Sequence, residues 1–551
     1  MPLDPQCNKT EGAGGNHFPR WGLGQSPKWA HPAFYYMRQE ADCQRGVGLS
    51  GKNHCFLVVV ESFIDTFNGI AFAQYAGGRS GGCAFRLSTL AGSSPKGVGG
   101  MEDRARDACG VVGIYEAPDN AASLAFLGLH ALQHRGQESA GIVTLCDGEL
   151  HFHKGMGLVA NVFAEAESRN LPGRTAIGHV RYSTAGESSF INAQPLIARY
   201  MNQQVALAHN GNLSGGAALR AKLVEKGALF QTTTDSELIL HSLAQRHARS
   251  NEDIGAVLQE AGAAFAIVML FDDKRLVAAR DPWGFRPLSL GRLGSGYVVA
   301  SESSAFDQIG ASFERDILPG EMLVFQDGGY TSHMFSDPKP LTQCLLELIY
   351  FARPDSVVFG RTPHTFRMES GAKLAREHPA DVDIVVAIPD SGMSAAMGFA
   401  EEMGVRLERG LIRNHYVGRS FIAPGPEARA TAVRMKHNIV RDVVRGKRVA
   451  LVDDSLIRGT TTNSLNRALR EAGATEVHLR IACPPTCHPC PYGVDFPKHE
   501  ELMAHRHSVE QIRGLLGMDS LGYLSLEGMT SLFGDRAGDY CTACWSGTYR
   551  A

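Results

Sequence analysis

No apolar run in this chain is long enough to span a bilayer. The best candidate, residues 55–76, is interrupted by Glu61, Asp65 and Asn68. No clear secretory leader is expected from the N-terminal segment either: Asp4, Lys9, Glu11, Arg20 and Lys28 crowd it with no apolar core between them. Nor is there a large excess of either charge. The formal net charge is −3, which argues against nucleic acid or a membrane surface as partner. The expectation is a cytoplasmic protein. Its 12 cysteines are then candidates for catalysis or metal binding rather than a disulfide framework.

What is present is ordinary for a soluble globular protein: 551 residues, 44% hydrophobic and 20% charged, enough for several domains. Residues 1–100 stand apart. They are rich in Gly and Ser, as in GGRSGGC at 77–83, and have weak periodicity. They read as an extension outside the mature protein, with Met101 opening a new segment. From Cys109 to about residue 335, short strands with turn signals and a few helices predict an α+β domain. One predicted helix, AASLAFLGLHALQHRG, ends at Gly136. From about 341 to 500, continuous apolar strands such as VDIVVAIPDSG and KRVALVDDSL alternate with helical stretches, as in a doubly wound parallel sheet. Residues 500–551 read as two short helices and a cysteine-bearing end.

Cys109 heads the strand-like segment ACGVVGIYE. Alone it would read as a small buried residue. Four segments follow it in order: HRGQESAG at 134–141, HVRYST at 179–184, HNGNLS at 209–214 and TTTDSE at 232–237. Each puts polar residues at the end of a strand or helix, where a site can be built. With Cys109 they resemble the glutaminase domain of the N-terminal-nucleophile amidotransferases. A thiol must lose its proton to attack an amide. A free α-amine has a pKa of roughly 7.7–8.0, so an N-terminal cysteine carries its own base and needs no catalytic His. The resemblance implies that Cys109 is the mature N-terminus, exposed by autocatalytic loss of the propeptide 101–108. It implies that Arg181 holds the α-carboxylate of glutamine, Asp235 its α-ammonium, and that Asn210 and Gly211 form an oxyanion hole. Without the resemblance, Arg181 reads as a structural ion pair and Asp235 as a helix N-cap.

A second constellation lies at 447–469. An apolar strand ends in Asp453-Asp454, and a loop of Arg458, Gly459, Thr460, Thr461 and Thr462 opens a helix. Carboxylates beyond a strand end can meet ribose hydroxyls and Mg2+, and the loop amides with the helix N-terminus suit a phosphate. No Gly-Lys-Ser/Thr follows, so this is not a Walker loop. The stretch resembles the phosphoribosyl pyrophosphate (PRPP) signature of type I phosphoribosyltransferases. That resemblance implies that AIPDSG at 387–392 meets the pyrophosphate through Asp390, with Ser391 at the metal. It also implies that LIRNHYVGRSFI at 411–422, with Arg413, Tyr416 and Arg419, closes over PRPP and excludes water.

The remaining cysteines admit two readings. Spacing alone, Cys487-x-x-Cys490 with Cys541-x-x-Cys544, suggests zinc. Together the two halves resemble the amidophosphoribosyltransferase family over nearly all of 101–551. One branch of that family carries a [4Fe-4S] cluster, which implies Cys344, Cys490, Cys541 and Cys544 as ligands. The resemblance further implies a glutaminase domain at 109–340 and a phosphoribosyltransferase domain at 341–551. Glutamine and PRPP are the implied substrates, with ammonia passing internally and Mg2+ neutralising the departing pyrophosphate. A homotetramer, inhibited by purine nucleotides, is the implied assembly. A regulator that merely binds PRPP is the rival from another class; it leaves the glutaminase segments without purpose.

Overall fold

The computed structural model describes residues 109–165, 170–182, 188–337, 339–414, 437–494 and 499–550. The extension, the propeptide, Tyr416 and Arg419 lie outside them. All described residues belong to one compact unit, which contains Gly100–Ala551.

The first half is built of two stacked antiparallel sheets. One has seven strands, in the order Ser312–Asp316, Ser289–Leu293, Gly296–Ala300, Gly110–Tyr115, Thr175–Arg181, Ser139–Cys146 and Glu149–Met156. The other has six, in the order Gly329–Met334, Glu321–Gln326, Leu276–Arg280, Phe265–Phe271, Gln203–Gly211 and Leu196–Tyr200. Side chains alternate across a strand, and the sequence uses both faces. Val111 and Tyr115 point between the sheets, where they meet Ala208, Val268 and Leu323. Val112 and Ile114 point outward, under the helices Ala121–Ala131 and Ser304–Ile309. The helices Ser236–Arg246 and Asn251–Glu260 cover the other sheet. Helices on both outer faces explain why the central strands read as continuous apolar runs.

The helix Ala121–Ala131 stops before the predicted Gly136, with Leu132 as its C-cap. The cause is tertiary. The Gln133 side chain leaves the helix to accept the Val159 N–H at 2.7 Å, and Arg135 turns into the interior.

The second half has a four-stranded parallel sheet, ordered Ile384–Ala387, Arg448–Asp453, Glu476–Ile481 and Ser520–Tyr523. Helices Pro363–Glu377 and Met393–Met403 cross closely beside it. A Cβ on Gly371 would stand 1.9 Å from the Ala395 carbonyl, and one on Gly398 equally near that of Met368, so glycine is required at both. The tail is richer than two helices. It supplies the fourth strand, Ser520–Tyr523, whose four residues carry no alternation that marks a strand by itself. It also supplies Tyr540–Cys541, which pairs in parallel with Gln343–Cys344 and so ties the end of the chain to the start of this half.

Candidate active sites and a cysteine centre

Cys109 lies just before the strand Gly110–Tyr115, buried, with its thiol donating to the Tyr182 carbonyl at 3.3 Å. Burial pushes this thiol above its ordinary value. The Arg181 charge opposes that, while the Glu138 and Asp235 carboxylates add to it. Cys109, Arg181 and Asp235, from three distant segments, therefore share one electrostatic neighbourhood. Arg181 ends the central strand Thr175–Arg181 and faces Glu138 at 3.7 Å. Asp235 occupies the N-cap position of helix Ser236–Arg246, yet its side chain makes no capping bond. Its carboxylate accepts the Leu213 N–H at 2.7 Å instead. The N-cap reading of Asp235 is thus correct in position and wrong in function.

Asn210 and Gly211 end the strand Gln203–Gly211. Ser301 ties this end to the nucleophile strand: its hydroxyl takes the Val111 N–H at 3.0 Å and stands 3.5 Å from Asn210 Nδ2. Asn210 Oδ1 is buried without a partner. Gly211 has φ of 141°, and a Cβ there would fall 1.9 Å from the Ala264 carbonyl. Only glycine allows the chain this path. His179 and His209 are close by but buried; burial lowers His179 to about 3 and holds His209 below its ordinary value against the pull of the Asp235 carboxylate.

The second site forms beyond the carboxyl ends of two adjacent parallel strands, where open sheets bind ligands. Ile388 N–H donates to the Val452 carbonyl at 2.8 Å, which brings the turn containing Asp390 and Ser391 beside Asp453 and Asp454. Asp454 accepts the Ser455 hydroxyl at 2.6 Å with one oxygen; its other oxygen is buried without a partner, as is Ser391 Oγ. Gly459 (φ 76°) turns the chain into the helix Thr460–Glu471. Arg413 pairs with Asp390 at 2.6 Å, and Arg458 pairs with Glu501 at 2.9 Å. Sequence reasoning missed Glu501, which belongs to a segment packed on the phosphate-type loop: Met503 N–H donates to the Ile457 carbonyl at 2.9 Å.

Known proteins resemble this chain in sequence and fold. The pattern of the glutamine amidotransferase domain matches residues 179–308. The chloroplastic amidophosphoribosyltransferase of Glycine max is 49% identical over 452 residues, 81% of this chain and 79% of its own length. The amidophosphoribosyltransferase of Bacillus subtilis is 46% identical over 447 residues, 80% of this chain and 94% of its own. A solved structure of glutamine PRPP amidotransferase from B. subtilis, complexed with ADP and GMP, superposes with a TM-score of 0.76 at 46% identity, covering 80% of this chain and 97% of that one. The chain belongs to the amidophosphoribosyltransferase family.

It is accordingly a phosphoribosyltransferase with a glutamine amidotransferase half, an enzyme of purine biosynthesis. Its architecture is the family's: an α+β glutaminase fold of N-terminal-nucleophile type, then an α/β phosphoribosyltransferase fold. No helix among the described residues is long and apolar enough to cross a membrane.

Four cysteines converge where the tail meets the start of the second half. Cys344 and Cys541 are register partners in the parallel pair. The Cys490 and Cys544 thiols hydrogen-bond each other, and Cys544 feels the charges of Cys541 and Cys344. The buried Arg286 guanidinium faces Cys344 and Cys490, and the Tyr492 N–H donates to Cys490 Sγ at 3.3 Å. Cys487 stands aside from the four, its thiol donating to the carbonyls of Pro485 and Ala504 at 3.3 and 3.4 Å. Cys483 is buried near Asp453 and Asp454. Among the described residues, no three His, Cys, Asp or Glu side chains are set to hold a metal ion by themselves.

The raised Cys109 thiol yields a prediction. In chains that retain residue 108, the alkylation rate of Cys109 by iodoacetamide, read by peptide mass, rises with pH through a midpoint above about 8.5, the ordinary thiol value. In chains that begin at Cys109, the neighbouring amine adds an earlier limb near about 8. A midpoint below 8 in the longer chains would contradict the burial effect.

Proposed function

We propose the following division of labour between 109–340 and 341–551. In the first half Cys109 is the nucleophile. Its α-amine takes the thiol proton as Sγ attacks the side-chain amide carbon of glutamine. Asn210 Nδ2 and the Gly211 N–H stabilise the oxyanion. The C–N bond then breaks, ammonia leaves with a proton returned by the amine, and water hydrolyses the thioester to glutamate. Arg181 and Asp235 hold the α-carboxylate and α-ammonium. The observation that carries this reading is that the Arg181 and Asp235 charges both act on the buried Cys109 thiol.

In the second half, the loop of Arg458 to Thr462 holds the 5'-phosphate, and Asp453 and Asp454 hold the ribose hydroxyls. Asp390, Arg413 and Tyr416 meet the pyrophosphate side. Ammonia, passed internally from the first site, displaces pyrophosphate from C1 of PRPP and gives 5-phosphoribosylamine. The partnerless oxygens of Asp454 and Ser391 fit a bound cation. Mg2+ takes one or two carboxylates and completes its shell with substrate phosphates, so the lack of a three-ligand protein set is consistent with it. Asp453, Asp454 and Ser391 would hold it, and its charge would offset that of the departing pyrophosphate. A purine nucleotide, chemically close to the ribose-phosphate end of PRPP, would inhibit by overlapping this pocket. The assembly is a homotetramer of the cytoplasm.

Cys344, Cys490, Cys541 and Cys544 fit a [4Fe-4S] cluster. The buried Arg286 charge and the N–H···S bond of Tyr492 both favour an anionic thiolate centre. A zinc on Cys487, Cys490, Cys541 and Cys544 would leave Cys344 unused, and the Cys487 thiol is directed at the carbonyls of Pro485 and Ala504 instead. The cluster's role is to pin the tail to the domain, since the reaction requires no redox step.

Two measurements test these assignments. Pyrophosphate release from PRPP is expected with either glutamine or ammonia in wild type, and with ammonia alone in Cys109→Ala; glutamine-driven release that survives in Cys109→Ala would exclude Cys109 as the nucleophile. Anaerobically purified protein is expected to carry iron and acid-labile sulfide, lost together in Cys541→Ser. Zinc without iron would overturn the cluster.

A further inference from the structure

Four charged side chains are buried where the two halves meet: Arg135, Arg286, Glu302 and Glu347 are each 0% exposed. Arg135 is at their centre. Its Nη1 donates to Glu302 at 2.6 Å and to Glu347 at 2.8 Å, and its Nη2 donates to Glu347 at 2.7 Å. Its Nε donates to the main-chain carbonyl of Cys109 at 3.0 Å. Glu347 is held in turn by Arg286 Nη1 at 3.1 Å.

The Cys109 carbonyl needs such a partner. Ladder pairing of the strand begins at Gly110, opposite Val180, so Cys109 lies just outside it. In a chain that begins at Cys109 nothing precedes the residue, and its carbonyl is the main-chain group left to fix it. The bond from Arg135 orients the peptide plane from which thiol and amine both project. A guanidinium with several rotatable bonds holds such a direction only if it is locked itself. Glu347 supplies the lock, a two-pronged carboxylate contact of fixed geometry. Glu347 opens the π-helical turn Glu347–Phe351. That turn is gripped at its other end by the buried Arg367, which donates to the carbonyls of Leu348 at 2.8 Å and Ala352 at 2.7 Å.

We infer that Glu347, a residue of the second half, is a positioning residue for the glutaminase reaction: it holds Arg135 so that Arg135 holds Cys109. Glu347 touches neither glutamine nor PRPP. The inference rests on Cys109 being the nucleophile.

The test compares Glu347→Gln with Arg135→Lys. The first keeps the shape of Glu347 and loses its charge. The second keeps the cation that both carboxylates need and loses the Nε donor to Cys109, so it separates positioning from folding. Rates are expressed per chain whose intact mass begins at Cys109. In both variants kcat for glutamine hydrolysis is expected to fall roughly 10- to 100-fold, the usual scale for a displaced reacting group. The KM for glutamine stays near wild type, because Arg181 and Asp235 are untouched. Covalent labelling of Cys109 by a diazoketone analogue of glutamine slows in step. Ammonia-dependent pyrophosphate release is retained. Two results overturn the inference: loss of the ammonia reaction to the same extent, which marks a merely structural role, or wild-type rates of hydrolysis and labelling in Arg135→Lys. Persistence of glutamine hydrolysis in Cys109→Ala would instead overturn the assignment of the nucleophile.

Discussion

The two-armed contact of Arg135 with Glu302 and Glu347 is the interaction on which the rest of this structure turns. Glu302 also accepts His134 Nε2 at 2.8 Å, the Arg353 N–H at 2.9 Å and the Ser356 hydroxyl at 2.7 Å. Burial pushes the Glu302 carboxyl up, but His134 and Arg135 outweigh it and hold the group ionised, well below the usual carboxylate range. One lattice thus joins the turn after the first helix to the segment that opens the second half. Burying such charges costs several kcal/mol per ion, and the pairing roughly repays it. The lattice is therefore better explained by the geometry it fixes than by stability it adds.

Around that lattice each site is made from the ends of strands. The sandwich brings the head of one strand, the end of a second and the end of a third to the same edge, which places Cys109, Arg181 and Asn210 together. The parallel sheet brings two neighbouring strand ends together, and with them Asp390 and Asp454. The second half also reaches back over the first. Asn212, next to Gly211, donates to the Pro491 carbonyl at 2.8 Å, and a Cβ on Gly493 would stand 2.8 Å from the Gly211 carbonyl carbon. The segment that follows Cys490 thereby lies against the backbone of the first site.

Much of this was legible in the sequence because it is local. Strands buried on both faces announce themselves as apolar runs, and the polar residues that matter follow directly at their ends, as in HVRYST or VDDSLIRGTTT. What was not legible depends on partners far away in the chain. Arg135 and Glu347 are 212 residues apart. Arg135 sits within the segment HRGQESAG that marked the family, yet nothing nearby says that it is buried. Glu501 was invisible for the same reason, since its partner Arg458 lies 43 residues earlier. Asp235 shows the converse: the local rule for an N-cap gave its place, and the Leu213 N–H took its carboxylate.

The most direct test is a double variant, Arg135→Met with Glu347→Leu, measured for both unfolding free energy and glutamine hydrolysis. Each single change leaves a buried charge without its partner and should cost about 3–5 kcal/mol; removing both should return part of that, since Glu302 keeps His134 and Ser356 and Arg286 keeps the Tyr492 carbonyl. If the lattice exists to position Cys109, hydrolysis stays as low in the double variant as in the singles while stability recovers. Recovery of hydrolysis together with stability would contradict the account.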